Sequence, residues 1–189
     1  EATDADVRDL GQQLAAAARD GDDARVTTLL DSGANCDARH DLGDPNGAGR
    51  SAVYWAARGG HLSTFRLLKS AGANVLAPAD NGITPFMAAC GNGGSLQIAR
   101  ELKDAGVDTS ATDNFGFNAA HLAAQYGHLD ILRALRGWNV DLSATDNDGY
   151  NAAHFAARDG HLDILRELHG WNVDMSATTN DGGTNAAHL

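Results

Sequence analysis

Histidine is the residue type in this chain that most suggests chemistry. The sequence contains eight of them, and a neutral imidazole binds metals and transfers protons near pH 7. Most fall into two sets whose members occupy equivalent places in a repeated phrase. The sets are His121, His154 and His188, and His61, His128 and His161. No His-x-x-x-His or Cys-x-x-Cys pair accompanies them. We therefore predict a structural role for both sets, and exposed positions for His40 and His169.

No other motif predicts catalysis or cofactor binding. Residues 146–149, Asp-Asn-Asp-Gly, resemble the start of a calcium-binding loop, but the bidentate Glu that such a loop needs is missing. The chain has no phosphate-binding loop, dinucleotide-binding glycine motif or nucleophile elbow. Its two cysteines, Cys36 and Cys90, are too few for a disulfide scaffold, so we expect two small buried side chains in a reducing compartment. The sequence predicts no enzyme, no metal and no cofactor.

The composition indicates one acidic domain over residues 1–189. Its 43% of hydrophobic residues can form a core, and no run of 18 apolar residues is present that would span a membrane. The net charge of −11 repels nucleic acid and anionic lipid and favours a neutral or basic protein partner. We expect a cytoplasmic protein with no indication of a homo-oligomer. Because the chain starts at Glu1 without Met, an organelle interior after removal of a leader stays open.

The histidines belong to a phrase that repeats along the chain. From Gly116 the sequence reads Gly-Phe-Asn-Ala-Ala-His-Leu-Ala-Ala, and 33 residues later, from Gly149, it reads Gly-Tyr-Asn-Ala-Ala-His-Phe-Ala-Ala. The phrase starts again at Gly183 and stops at the end of the chain. Looser copies start at Gly49, at Gly82 and near Leu14. Repetition at a fixed period of this length predicts a solenoid of stacked units.

One unit shows which elements position these residues. Residues 118–126 have small apolar side chains at helical spacing, which predicts a slim helix that a neighbour can approach closely. The larger apolar residues from Leu129 to Leu135 predict a second helix, which ends at 137–139, where Gly and Asn tolerate the left-handed conformation. Residues 146–149 then predict a projecting turn. A single unit leaves its apolar faces exposed, so the units must stack.

The phrase Thr-Pro-Phe-Met-Ala-Ala at residues 84–89 resembles the Thr-Pro-Leu-His-x-Ala phrase of ankyrin repeats, and the period agrees. The resemblance covers about Leu10 to Leu189 and implies an all-α solenoid. Its helix–turn–helix units carry projecting β-hairpin or loop fingers, in about five repeats plus a truncated last one. Where copies lack the Pro, Asn118 and Asn151 are expected as N-caps. The repeated histidines are expected to tie the turns and loops of neighbouring units together.

The expected division of the chain follows this pattern. It comprises a lead-in at 1–9, a capping repeat at 10–39, a finger insertion at 40–45 (His40 to Pro45), repeats at 46–78, 79–112, 113–145 and 146–178, and a truncated repeat at 179–189. Gly93-Gly94 adds one residue to a turn between helices, and the finger before Gly183 has one extra residue. The truncated repeat indicates a fragment or an end covered by something else.

The resemblance also implies a binding surface, the concave face, formed by the fingers and first helices. Its first-helix positions are Arg19, Arg58, Asn92, Gln125, Tyr126, Arg158 and Asp159. Its finger positions are Arg50, Asp80, Asn81, Ile83, Asn114, Phe115, Phe117, Asn147, Asp148 and Tyr150. These residues vary between copies, as expected of a surface adapted to one partner. The candidate partner-binding residues are Phe115, Phe117, Tyr126, Tyr150, Arg50, Arg58, Ile83, Asn114, Asp148 and Arg158.

Four aromatic residues on this face are interpreted as anchors for a partner. Phe115, Phe117, Tyr126 and Tyr150 lie in adjacent units, and aromatic rings bury a large rigid area. The alternative is that Phe117 or Tyr150 packs against the next finger. Trp138 and Trp171 follow the second helices, and two interpretations are open for them: they form a binding stripe, or they close the end of the helix. Trp55 falls on a first helix and is assigned to the core.

Charge is expected to give the concave face a direction. The basic residues fall in the first two units and the acidic residues later, so a partner with one acidic end would dock in one orientation. These residues are Arg19, Arg39, Arg50 and Arg58, followed by Asp80, Asp148 and Asp159. We predict a protein-binding scaffold. The alternatives are a structural subunit of a larger multi-protein assembly and the non-catalytic targeting arm of a longer protein.

Overall fold

A computed structural model describes residues 4–40, 42, 49–180 and 185–186, with side chains from residue 9 onward. Most of the expected insertion at 40–45 and of the truncated repeat at 179–189, including His188, lies outside these residues.

Ten helices and no strand are found in the described part of the chain. They are α1 (Asp4–Asp20), α2 (Asp23–Asp31), α3 (Ala52–Gly59), α4 (Leu62–Ser70), α5 (Pro85–Cys90), α6 (Leu96–Asp104), α7 (Ala119–Gln125), α8 (Leu129–Gly137), α9 (Ala152–Arg158) and α10 (Leu162–Gly170). The helices follow one another in pairs, and each predicted repeat from 46–78 to 146–178 contains one pair. The all-α architecture is confirmed. The number of repeats and their boundaries stay predictions, and the expected lead-in at 1–9 is helical from Asp4.

The helices form two layers. The first helices of the pairs, α1, α3, α5, α7 and α9, pack on one another in chain order, and the second helices from α2 to α8 do the same. Alanine at the buried positions of the first helices lets their backbones approach closely. The second helices contribute a column of fully buried leucines: Leu68, Leu102, Leu135 and Leu168. The result is one core that runs through all the stacked units.

Asparagine caps start two of the first helices, as the sequence predicts. The Oδ1 atom of Asn118 accepts from the backbone N–H groups of Ala120 and His121, at 2.9 and 3.1 Å. The backbone N–H of Asn118 in turn donates to Nδ1 of His121, at 2.9 Å. Asn151 and His154 repeat this capping box. Each pair satisfies N–H groups that a helix start otherwise leaves without a partner.

Loops rather than hairpins form the described fingers. Ala79, Asp113 and Asp146 each donate a backbone N–H across their own turn, to the carbonyls of Ile83, Phe117 and Tyr150, all at 2.9 Å. Among the described residues, a β-bridge joins His40 to Arg50 and is the only one.

Asparagines join each finger to the next one. Asn114 Nδ2 donates to Asp80 O at 3.4 Å, Asn147 Nδ2 to Asn114 O at 3.1 Å, and Asn180 Nδ2 to Asn147 O at 3.1 Å. Their backbone N–H groups also donate to the preceding finger. The fingers are therefore stabilised sideways, by their neighbours, which explains why they need no strands of their own.

Two predictions about burial are wrong. His40 is half-buried, because its β-bridge to Arg50 places the imidazole against Gly11 of α1, whereas His169 is exposed as predicted. Cys36 is half-buried although Cys90 is fully buried, and both are free thiols. Burial raises the pKa of both thiols.

Candidate protein-binding face

The described repeat histidines form structural hydrogen bonds, with one exception. Nε2 of His121 lies 2.9 Å from the carbonyl oxygen of Ala144, and Nε2 of His154 lies 3.0 Å from that of Ala177. In the second set, Nε2 of His61 lies 3.0 Å from the carbonyl of Arg19. His121 and His154 thus join the start of a first helix to the loop that follows the second helix, and His61 joins its unit to the preceding one.

His128 is the exception. Its Nε2 is buried without a hydrogen-bond partner, whereas Nε2 of the equivalent His161 lies 3.0 Å from the carbonyl of Gln125. The preceding unit differs in the turn after its first helix. Gly91, the C-cap of α5, has a ψ of −125°, whereas Tyr126, the C-cap of α7, has a ψ of 4°. The repeat also has one more residue at this turn, and its Gly94 lies against the imidazole of His128.

The four aromatic candidates divide into two exposed and two packed rings. Phe115 on its finger and Tyr126 at the C-cap of α7 are 64% and 42% exposed. The ring centroids of Phe117 and Tyr150 lie 5.0 and 5.9 Å from that of Phe155 in α9. Phe117 and Tyr150 are therefore packed, although not against the next finger: Phe117 packs on the first helix of the next unit and Tyr150 on the first helix of its own unit.

Arginines of the first described units gather around aromatic rings of α3. Arg50 is only 5% exposed, and its guanidinium lies 4.8 Å from the ring centroid of Tyr54 and 5.3 Å from that of Trp55. The half-buried Arg58 lies 5.5 Å from the Trp55 centroid. Trp55 is buried, as predicted, and its indole N–H has no acceptor among the described residues. A guanidinium over an aromatic ring is held in place by the ring's negative face.

The predicted charge gradient is reduced by ion pairs that its members form. Arg39 donates to Asp80 at 2.7 Å, so these two opposite charges neutralise each other across neighbouring fingers. Arg158 pairs with Asp159 at 3.0 Å, which lowers the pKa of Asp159. Among the described residues, Arg58 forms no ion pair. Arg58 of α3 is therefore an arginine of this face whose charge no described carboxylate neutralises.

A cleft opens on the same face, between α3, α5 and α7, with a volume of about 160 Å³. Its lining includes most of the predicted residues of this region and several that the sequence did not indicate. The lining residues are Arg50, Tyr54, Arg58, Ile83, Met87, Ala88, Gly91, Asn92, Leu122 and Tyr126. Finger residues and first-helix residues thus share one concavity, as the ankyrin resemblance implied.

A family model of ankyrin repeats matches this chain in three copies, over residues 14–113, 65–146 and 92–181. The chain belongs to the ankyrin-repeat family. Ankyrin repeats are generally protein-interaction modules, and the family is generally non-catalytic. A comparison with curated proteins gives no match.

The other candidates of this ankyrin-repeat protein are not brought into the cleft. Asn114 and Asp148 are exposed on the fingers and belong to the hydrogen bonds between fingers. Arg158 lies over the ring of Phe155, three units further along the stack than Arg50. The structure therefore brings Arg50, Arg58, Ile83 and Tyr126 together and leaves the remaining candidates apart.

The tryptophans that follow the second helices are the C-cap residues of α8 and α10. Lys103 Nζ lies 5.8 Å from the ring centroid of Trp138, and the guanidinium of Arg136 lies 4.9 Å from that of Trp171. Each indole thus meets a cation of the preceding unit, which agrees with closure of the helix end.

Among the described residues, no helix has the length and apolarity needed to cross a lipid bilayer. No group of three or more His, Cys, Asp or Glu side chains among them has an arrangement suited to a metal ion.

Proposed function

We propose that this ankyrin-repeat protein is a scaffold that binds a partner protein through its concave face, with Phe115 and Tyr126 as the main aromatic anchors. The observation that supports this most is the exposure of the two rings, 64% and 42%, on a chain whose other large aromatic side chains are packed against neighbours. Exposed aromatic residues bury a large area on binding at a low cost in conformational entropy.

The experiment compares the wild-type chain with the double variant Phe115→Ala, Tyr126→Ala in a pull-down, followed by titration of the captured protein. Leu162→Ala is the matched control, since Leu162 is also a large exposed side chain, 63% exposed, but begins the second helix α10. We expect the double variant to bind at least tenfold more weakly, which corresponds to about 1.4 kcal/mol or more. The control variant should bind as the wild type does.

The opposite result for the two variants would place the binding surface on another side of the protein. If Leu162→Ala abolishes capture and the double variant does not, the second-helix side is the working surface. The chain would then fit better as a structural subunit of a larger assembly. Far-UV circular dichroism on each variant checks that the helices are retained.

We also propose a cytoplasmic location. Both cysteines are free thiols, the state that a reducing compartment maintains. Fractionation of cells with an antibody to the protein tests this, and recovery in an organelle lumen would contradict it.

A further inference from the structure

The cleft between α3, α5 and α7 on the concave face is lined by basic and apolar side chains. Two arginines line it, and none of its lining residues is Asp or Glu. The whole chain has 25 acidic and 14 basic residues and a net charge of −11. A cleft with this lining on so acidic a protein favours an anionic ligand over a cationic one, because nearby charges select the charge of a ligand.

The position of Arg58 suits recognition of a carboxylate. Its guanidinium lies over Trp55 at 5.5 Å, is half-buried, and forms no ion pair among the described residues. Partial removal from water strengthens its interaction with an anion, and stacking on the indole restricts its orientation. The planar guanidinium can donate two parallel hydrogen bonds to one carboxylate. Arg50 lies beside it, over the rings of Tyr54 and Trp55.

The other residues that line the cleft determine which groups can bind next to the carboxylate. Met87, Leu122 and Ile83 give the cleft an apolar floor and side, and Tyr126 is an exposed ring at its edge. The volume of about 160 Å³ is close to that of an engineered cavity of about 150 Å³ that binds benzene, so one side chain fits. The cleft lies between a finger and the first helices, where an extended segment can run across the stack.

We propose that this cleft binds one Asp or Glu side chain of an extended segment of the partner protein, with Arg58 as the group that recognises the carboxylate and Tyr126 as the contact for an adjacent apolar residue. This inference rests on the proposed function and adds the chemistry of the bound segment. The net charge of the whole chain favours a partner that is neutral or basic overall. The segment of that partner that enters this cleft is nevertheless acidic.

The test uses a random peptide library displayed on phage, selected against the wild-type chain and two variants, Arg58→Gln and Arg136→Gln. Both substitutions remove one positive charge, and in both cases the guanidinium lies over a tryptophan. Arg136, however, lies on the second helix α8, outside the cleft. We expect peptides enriched in Asp or Glu from the wild type and from Arg136→Gln, and loss of this enrichment with Arg58→Gln.

Titrations then measure the contact itself by fluorescence anisotropy. The best selected peptide is compared with its Glu→Gln form, and we expect the wild type to prefer the acidic form by about tenfold or more. Arg58→Lys should keep part of the preference, because it keeps the charge without the fork of donors. Arg58→Glu should instead prefer a Glu→Lys peptide, a reversal that a merely destabilised variant does not produce. Thermal unfolding of each variant confirms that it is folded.

Two results would overturn the proposal. In one, the wild type selects peptides without any excess of acidic residues; in the other, Arg58→Gln prefers the acidic peptide as strongly as the wild type. Either would refute recognition of a carboxylate here and leave binding by the concave face intact. If no peptide is selected at all, the proposal of an extended segment fails, while the pull-down with the Phe115 and Tyr126 double variant still decides the proposed function separately.

Discussion

The contrast between His128 and His161 gives a prediction about stability that is specific to this chain. Both imidazoles occupy the same repeat position, but Nε2 of His161 lies 3.0 Å from the carbonyl of Gln125, and Nε2 of His128 is buried without a partner. We compare His161→Leu with His128→Leu, since leucine is apolar and similar in size. The two substitutions are chemically identical, but only His161→Leu removes a hydrogen bond of Nε2.

The structure sets the expected magnitudes. His161→Leu removes a hydrogen bond and leaves the carbonyl of Gln125 without its donor, which typically lowers the free energy of unfolding by about 1–2 kcal/mol. His128→Leu removes a buried polar atom that has no partner in the wild type, so it relieves a desolvation penalty of similar size. This gain offsets the loss of the stacked contact with Tyr126, whose ring centroid lies 6.4 Å away. We expect His128→Leu to be within about 0.5 kcal/mol of the wild type or more stable.

Urea unfolding followed by far-UV circular dichroism measures both variants, with His61→Leu as a second reference, since Nε2 of His61 also meets a carbonyl at 3.0 Å. Comparable slopes against urea concentration are required before midpoints are compared. An equal loss of stability for His128→Leu and His161→Leu would refute the reasoning. It would mean that the packing of the ring, and not its hydrogen bond, determines the contribution at this position.

Three further predictions follow from the cap, the buried histidine and the thiols. Asn118→Ala should lower the free energy of unfolding by about 1–2 kcal/mol, because two N–H groups at the start of α7 lose their acceptor; urea unfolding measures this. Burial in the folded chain lowers the pKa of His121 from its ordinary value of 6.5. When the pH falls, the unfolded chain therefore binds a proton at this residue before the folded chain does. Stability should therefore be full above pH 6.5 and fall as the pH drops below it, and His121→Gln should show a weaker decline in urea unfolding at pH 7.5, 6.5 and 5.5. Finally, a thiol reagent added to the folded protein should label Cys36 first and Cys90 only after unfolding, because Cys90 is fully buried; labelling of both at one rate, followed by mass spectrometry, would contradict this.

The sequence predicted the helices and their caps well because the repeat supplies the same information several times. Asn118 and Asn151 each precede Ala-Ala-His, and one physical explanation, an N-cap before a slim helix, accounts for both. Packing between units is different, because it depends on which residue the neighbouring unit contributes. Phe117 looked exposed along the chain, but Phe155 in the first helix of the next unit fills the space beside it.

The candidate site was predicted less completely, for the same reason. Arg58, Ile83 and Tyr126 were identified from their places in the repeat, yet no pattern within one unit indicated that they line a common cleft. The pairing of Arg39 with Asp80 was missed as well, since these residues are 41 positions apart and the prediction treated each charge by itself. A comparison of side chains one unit apart would have revealed the opposite charges on neighbouring fingers.

The irregular unit around Gly91 connects the stability of this protein with its candidate site. At its C-cap, where α7 and α9 have Tyr126 and Asp159, the first helix α5 has Gly91, which lines the cleft without a side chain to fill it. Gly91 also begins a turn of different conformation, with a ψ of −125° where Tyr126 and Asp159 have 4° and 5°. This irregular turn contacts His128, whose Nε2 has no hydrogen-bond partner, through Gly94, and it lines the cleft next to Arg58 through Gly91. Proteins often break a structural rule at functional sites, and a buried polar atom without a partner is a cost that regular repeats avoid. The coincidence of this cost with the positively charged cleft is the physical reason to expect binding there rather than elsewhere along the concave face.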